Sequence, residues 1–512
     1  MQSIPRKVPG IFNFGHTLDS LKTLYPNNVT LFAGDIFGAS YFCKVTNSAI
    51  IPDMMQYLGA DISVLGNHEF DEGQAFLSQC FYDSATNWHL TYLMANLTIN
   101  GEIPNWVKPA AALEIKISEN KTLSIAVVGL MSHNVLMQTA LEKNVKGVEI
   151  DNDYKKVLTD LENNSEYSKM LQNADIRVLL THLPTDTDTL NATRALLIDD
   201  GNLAQSEYLL SRYPYYSALF TAHSHKAVKG YVDKYEMPVL QGKNNGLFIS
   251  MQLMDYDTVK NQVTKVYPPE LVPVNNHPVH LTNPKDIALE NKIKAAINQY
   301  DLNKICIQAS DALVHERDAE HFRSFTGLAA YCCRSLAEEY RKEAKDKTNS
   351  VIALYQFGGV RTSIKQGGVE RIDVGEIMPF CTQIDAYDVT GKELKDIFNI
   401  GLNLSKNDKG WLQTNNLVID IDTVGEDFIV KQIFYKDDNG KIVPISDENN
   451  IVVVADTFLA VDGGDYSLTK YFKKHKRRLE KDETITFTDF IENLGKNGVK
   501  LTENNDFKVV VK

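Results

Sequence analysis

Four short apolar runs, each ending in a polar cluster, constrain this chain more than any other feature. VTLFA (29–33) runs into Gly34-Asp35, and ISVL (62–65) runs into Gly66-Asn67-His68-Glu69-Phe70-Asp71. IRVLLT (176–181) runs into His182, and ALFTA (218–222) runs into His223-Ser224-His225. Runs this short are strand-length. Segments of helical spacing lie between them, around Ser48–Leu58, Glu72–Phe81, Tyr154–Leu171 and Ala204–Arg212. Leu123–Leu130 and Pro238–Gln241 add further strands, and Phe248–Met254 alternates with period two. Strands interleaved with helices predict an α/β fold. Such sheets collect ligands at the carboxyl ends of their strands, so the four clusters are expected to converge.

Each cluster alone carries little information. Together, an Asp, an Asn and three His form a set of hard oxygen and imidazole donors. The two oxygens of Asp35 can bridge two cations, Asn67 offers an amide oxygen, and His182, His223 and His225 offer ring nitrogens. That inventory suits two divalent metals held about 3.5–4 Å apart, the arrangement used in phosphoester hydrolysis. Zn, Mn, Co and Fe all suit such N/O sites. His68 adjoins Asn67, so it sits near the metals without needing to bind them. It can protonate a leaving oxygen while Asp71 holds its ring. Asp71 reads equally well as a carboxylate favoured at a helix N-terminus.

Composition narrows the partners. The chain has 512 residues, enough for two or more domains, and a formal charge of -13 that disfavours a nucleic acid polymer as partner. No apolar stretch is long enough for an integral membrane segment. The N-terminus as given, MQSIPRKVPG, lacks the apolar region of a signal peptide. Six scattered cysteines do not form a disulfide scaffold, and the adjacent Cys332-Cys333 reads as one buried and one exposed helix position. Sequons stand at Asn28, Asn96, Asn120, Asn163, Asn191 and Asn403. Four prolines in the polar stretch Val266–Thr282 mark an interdomain connection, followed by a helix over Asp286–Gln299. The expected division is a first domain over 1–275, a linker and interdomain helix over 276–304, and a second domain over 305–512.

GDIFGAS (34–40), GNHEFD (66–71), THLP (181–184) and HSH (223–225), in this order, resemble the calcineurin-like metallophosphoesterases. The resemblance is closest to the 5'-nucleotidase/UDP-sugar hydrolase branch. Phe357-Gly358-Gly359-Val360-Arg361 is similar to the Asn-Gly-Gly-Gly-Ile-Arg signature of the nucleotidase C-terminal domain. Met378-Pro379-Phe380 with Val389-Thr390-Gly391-Lys392, and Phe458-Leu459-Ala460 with Gly463-Gly464-Asp465-Tyr466, resemble two further segments of that domain. The resemblance spans almost the whole chain. It implies a calcineurin-like β-sandwich flanked by helices, then a smaller mixed α/β domain that binds substrate. Carried over by position, it implies that Asp35 bridges both metals and that Asn67, His182 and His223 complete the second site. His225 would ligate the first metal, and His68 with Asp71 would form the catalytic pair. Arg361 would contact a nucleotide substrate, with Trp411 and Tyr466 as candidates for stacking on the base.

The chain departs from the family at its start. The family's first motif, Asp-x-His, occurs nowhere before Asp35, where the only earlier Asp is Asp19. The expected first strand would therefore lie upstream of Met1, and as written the first metal site has only Asp35 and His225. His16 and Asp19 read as residues of a surface helix. Gln356-Phe357 replaces Asn-Gly, Ala222 replaces the Gly before HxH, and GGDYS displaces Tyr466 by one position. The expected activity is metal-dependent hydrolysis of nucleoside 5'-monophosphates. The rivals are hydrolysis of nucleoside diphosphates, UDP-sugars or 2',3'-cyclic nucleotides, and a non-catalytic nucleotide-binding or surface protein. The resemblance implies an extracellular, periplasmic or cell-surface location if a signal peptide lies upstream, and the chain as given leaves the location open.

Overall fold

The computed structural model describes residues 10–511 except 39, 72, 83–89, 120, 137–143, 186–188, 193–202, 232–234, 317–320, 346–350, 405–409, 438–439, 462–465 and 505–508. Gly463-Gly464-Asp465, the expected helix start at Glu72 and the sequon at Asn120 fall outside the described residues. Chain contacts divide the molecule into two compact units, Met1–Gly38 with Ala49–Ile293 and Ala39–Ser48 with Lys294–Lys512.

Two sheets dominate the described residues of the first unit. Leu31–Phe32, Ile62–Val64 and Thr91–Leu93 form a three-stranded parallel sheet. A seven-stranded mixed sheet follows the order 110–118, 121–131, 176–182, 218–220, 238–242, 227–231 and 189–192. Its central neighbours Lys121–Met131, Ile176–His182, Ala218–Phe220 and Pro238–Gly242 are parallel. Parallel strands covered on both faces read as unbroken apolar runs, which is why they were visible in the sequence. Their core also takes in Tyr154, Leu158, Leu171 and Tyr216 from the covering segments.

Local chemistry changes two expected elements. The helical period over Tyr154–Leu171 becomes two helices, Tyr154–Asn163 and Ser165–Asn173. Asn164 between them is extended, and its side chain accepts from the backbone N–H of Glu166. An Asn side chain satisfies the free donors of a helix start, so it ends one helix and opens the next. In the proline-rich stretch, Glu270–Pro273 pairs antiparallel with Phe248–Met251, so part of that stretch is sheet. Asn96 is buried, its amide donating to the Met131 and Asp151 carbonyls, which removes that sequon from the surface. His16 lies on the helix Ile11–Leu24, its Nε2 2.7 Å from the buried carboxylate of Asp286.

The second unit centres on a five-stranded sheet in the order 413–414, 351–355, 450–456, 383–390 and 475–482. The helices Gly327–Ala344 and Glu483–Lys496 contribute to one core and Gly391–Asn403 to the other. Cys332 and Cys333 are both fully buried, contrary to the expected split. Their helix packs against the strand Val351–Tyr355 and also against the helix Glu483–Lys496, so two of its faces are covered. The short helix Tyr41–Val45 from the first half of the sequence belongs to this unit. There Glu376 accepts from the Ser40 hydroxyl (2.8 Å) and the Phe42 N–H (3.1 Å). Among the described residues, no helix is long and apolar enough to cross a membrane.

Candidate metal centre

Asp35 follows the strand Leu31–Phe32 with a left-handed backbone (φ 58°), a conformation that costs a non-glycine residue on the order of 1–3 kcal/mol. Glu69 holds it there. Its carboxylate, 0% exposed, accepts from the backbone N–H of Asp35 (2.9 Å), Ile36 (2.6 Å), Phe37 (3.3 Å) and Gly66. The two glycines flanking this knot are sterically required. A Cβ on Gly34 would lie 2.6 Å from the Gly66 nitrogen, and one on Gly66 would collide with the Asp35 carboxylate. Glu69 was not singled out in the sequence. Its one signal is its place between His68 and Phe70, in a run otherwise read for ligands.

His182 ends a buried strand with its Nδ1 2.6 Å from the Ala33 carbonyl. A carbonyl only accepts, so Nδ1 carries the hydrogen and Nε2 presents its lone pair. That Nε2 is buried, has no hydrogen-bond partner, and lies 3.2 Å from Oδ2 of Asp35. A ring nitrogen and a carboxylate oxygen this close in a buried site share a cation, either a proton or a metal ion. This is how a backbone carbonyl orients a metal-binding imidazole. His223, also left-handed (φ 66°), places Nδ1 3.1 Å from Oδ1 of Asn67. Ligand atoms of Asp35, His182 and His223 all lie within 4.8 Å of one another. The donor set therefore fits a divalent cation.

Electrostatics point the same way. Burial works against ionising Asp35, but His182 and His68 outweigh it and hold the carboxyl well below the usual range. Burial likewise opposes charge on His182, yet the adjoining Asp35 raises its pKa, so the pair draws positive charge to itself. His223 is pushed down to about 3 by burial and then by His182, and its ring is therefore neutral. His68 donates its backbone N–H to Oδ1 of Asp35 (3.1 Å) and sets Nδ1 2.7 Å from Oδ2 of Asp71. Burial opposes its charge, but Asp71 and then Asp35 lift its pKa to about 9. It therefore carries its proton at neutral pH. His225, also left-handed, is close enough to bias His223 but is not one of the three clustered ligands.

The structure thus brings together Asp35, Asn67, His68, Asp71, His182 and His223 within the first unit. In the second unit, Arg361 donates its N–H to the Ile377 carbonyl (2.9 Å) and Nη1 to the Gly358 carbonyl (3.1 Å). Its guanidinium lies 5.4 Å from the centroid of Phe380. Trp411 is 7% exposed, packed on Phe325 and Phe428, and Tyr466 is 1% exposed. The Tyr466 hydroxyl donates to the Gly410 carbonyl (3.2 Å) and lies 3.5 Å from the Phe357 N–H that donates to it. Both rings are core residues near the glycine loop rather than open stacking faces. His315, not singled out in the sequence, stacks on Phe357 at 4.1 Å with Nε2 2.9 Å from its carbonyl.

The first unit carries a buried donor set that fits a divalent cation, and the comparisons with known proteins bear on both units. Residues 321–471 match the family of the 5'-nucleotidase C-terminal domain. The trifunctional nucleotide phosphoesterase YfkN of Bacillus subtilis is 23% identical over 92% of this chain, which spans 32% of that relative. The endonuclease YhcR of the same organism is 21% identical over 73% of the chain, which spans 28% of YhcR. The 5'-nucleotidase precursor of Thermus thermophilus superposes with a TM-score of 0.70 at 19% identity, covering 98% of this chain and 94% of that one. Residues 321–471 therefore belong to the 5'-nucleotidase C-terminal domain family, and the chain as a whole shares the fold of solved 5'-nucleotidases. It spans about a third of the length of the two Bacillus relatives.

Proposed function

We propose that the chain is a metal-dependent phosphoesterase that releases phosphate from nucleoside 5'-monophosphates. The observation that carries this reading is the buried, unpartnered Nε2 of His182 facing Asp35, with His223 in the same cluster. Asp35, Asn67, His182 and His223 would hold one divalent ion, and Asp35 with His225 would contribute to a second. When bound, such ions supply a hydroxide-like nucleophile at neutral pH and neutralise charge on the phosphoryl oxygens.

The chain's own residues supply the rest. Water oxygen bonds to phosphorus as the bond from phosphorus to the ester oxygen breaks, and the leaving oxygen needs a proton. His68, kept protonated by Asp71 and Asp35, is placed to give it. Asp71 fixes the ring through the 2.7 Å contact to Nδ1, leaving Nε2 as the donor. Glu69 keeps Asp35 in its strained conformation. Arg361 supplies a fixed positive charge for an anionic substrate.

Phosphate release from AMP by the full chain with Mn2+ or Zn2+ tests the reading, with a chelator as control. Metal-dependent release that the chelator abolishes is expected. No release from AMP, ADP, UDP-glucose or 2',3'-cyclic AMP with any of Mn2+, Zn2+ or Co2+ would refute it. The YfkN match, to a protein described as trifunctional, supports including the whole substrate panel.

A further inference from the structure

Behind the loop 356–361, three buried polar side chains come from three different elements. Tyr355 ends the strand Val351–Tyr355, Asp456 ends Asn450–Asp456, and Glu483 opens the helix Glu483–Lys496. The two strands are parallel neighbours with Leu354 opposite Ala455, so Tyr355 and Asp456 leave the sheet side by side. Exposure is 0% for Tyr355, 1% for Asp456 and 0% for Glu483. Oδ1 of Asp456 caps a helix by accepting from the Leu459 N–H (2.6 Å). Glu483 has no hydrogen-bond partner on either carboxyl oxygen among the described residues. The Tyr355 hydroxyl lies beside Glu483 and reaches the Gly359 carbonyl at 3.5 Å. A Cβ on Gly359 would lie 2.5 Å from the Tyr355 ring, so ring and loop are in close contact.

The groups facing the pair are Cys332 and Cys333 on the helix Gly327–Ala344, Tyr387 on the neighbouring strand, and Asp482 and Cys381 beside Glu483. None is a cation, and among the described residues no Lys or Arg pairs with either carboxyl. An ionised carboxylate with only the Tyr355 hydroxyl and the Thr382 N–H acting on it is strongly disfavoured in such surroundings, and two adjacent ones more so. A proton must stay.

We propose that Glu483 is held as a neutral acid beside Asp456 and, through the Tyr355 hydroxyl, positions the glycine loop that presents Arg361 to the nucleotide. The three are positioning residues, and this role rests on the nucleotidase reading above. Burial pushes Asp456 up to about 7. Burial, and then the charge of Asp456, push Glu483 well above the carboxylate range. As a neutral acid, Glu483 pulls less strongly on the Tyr355 hydroxyl, which stays within reach of the Gly359 carbonyl. Ionised, it would compete for that hydroxyl and release the loop.

The test uses the full chain and has two readouts. Infrared difference spectra between wild type and Glu483→Gln at about pH 7, well above ordinary carboxyl values, report protonation without turnover. A carboxylic acid band present in wild type and lost in the variant is expected, whereas carboxylate bands alone would overturn the proposal. Asp456→Asn should move the titration of that band to lower pH, and an unmoved titration overturns the coupling. For the loop, Tyr355→Phe should raise the KM for the hydrolysed nucleotide about tenfold with kcat within about twofold. An unchanged KM overturns the positioning role. If wild type hydrolyses no nucleotide, the nucleotidase reading fails, and with it the loop's role in binding. The infrared band still decides the protonation of Glu483.

Discussion

Each unit buries a close pair of carboxyls, and only the first pair keeps one of them, Asp35, firmly ionised. Asp35 faces His182 and His68, and the partly ionised knot around it is fed by the four N–H groups that converge on Glu69. Asp456 has one backbone donor, and Glu483 has no imidazole or cation beside it, only the Tyr355 hydroxyl and the Thr382 N–H. Burial is the first cause acting on all four, and it always favours the neutral acid. Charge survives only where imidazoles or N–H groups repay desolvation. The first pair therefore offers a negative anchor for cations, and the second makes a neutral, rigid support.

The comparison can be broken most severely at His68. His68→Ala should lower metal-dependent phosphate release by about 10²–10⁴-fold, the range for a lost general acid. Steady-state turnover checks this, and a rate within a factor of about two of wild type would remove His68 from catalysis.

Next in size is Glu69→Ala, which leaves the N–H groups of Asp35, Ile36 and Phe37 without their acceptor. It should cost about 3–5 kcal/mol of unfolding free energy, since several buried donors lose one charged partner. Urea unfolding followed by fluorescence measures it.

A third prediction separates the two pairs by ligand. Mn2+ at about a hundred times its Kd should stabilise the chain by about 2.7 kcal/mol. His182→Ala should abolish that gain and Asp456→Asn should leave it intact. Equal stabilisation of all three proteins would mean that the cations bind elsewhere.

The smallest effect is a pH profile. Asp456 has its folded pKa raised to about 7, so its stabilising contribution is complete below its unfolded value, near 4. That contribution falls as pH rises from about 4 to about 7, and then levels off. Asp385, held low by Arg478 despite its burial, acts with the opposite sign and loses its contribution as pH falls through its folded value. Urea midpoints across pH should therefore show a decline that Asp456→Asn flattens. A variant with the same slope as wild type would contradict the assignment.

Much of this was legible in the residues. The strand runs ending at Ala33, Leu65, Thr181 and Ala222 were visible because buried parallel strands leave continuous apolar stretches. Helix boundaries that depend on one side chain, as at Asn164, were not. Neither was the double burial of Cys332 and Cys333, because helical spacing does not show how many neighbours a helix has. Glu69 escaped notice because a buried carboxylate satisfied by backbone N–H groups has the same one-letter code as a surface one. The motifs of Trp411 and Tyr466 do not show how deeply the two rings are buried, because burial depends on segments distant in the chain.

The sequence by itself determined the α/β class, the order of the motifs and the inventory of ligands. Those depend on residue type and on strand-length periodicity, both of which are local. Only the tertiary structure decided which nitrogen of His182 faces Asp35, that Glu69 fastens the Asp35 turn, and that Ser40–Val45 belongs with the second unit. It also decided that Asp456 and Glu483 meet, from strand and helix ends well separated in the chain. Charge state follows from desolvation and from the donors within reach, and both are properties of the folded neighbourhood.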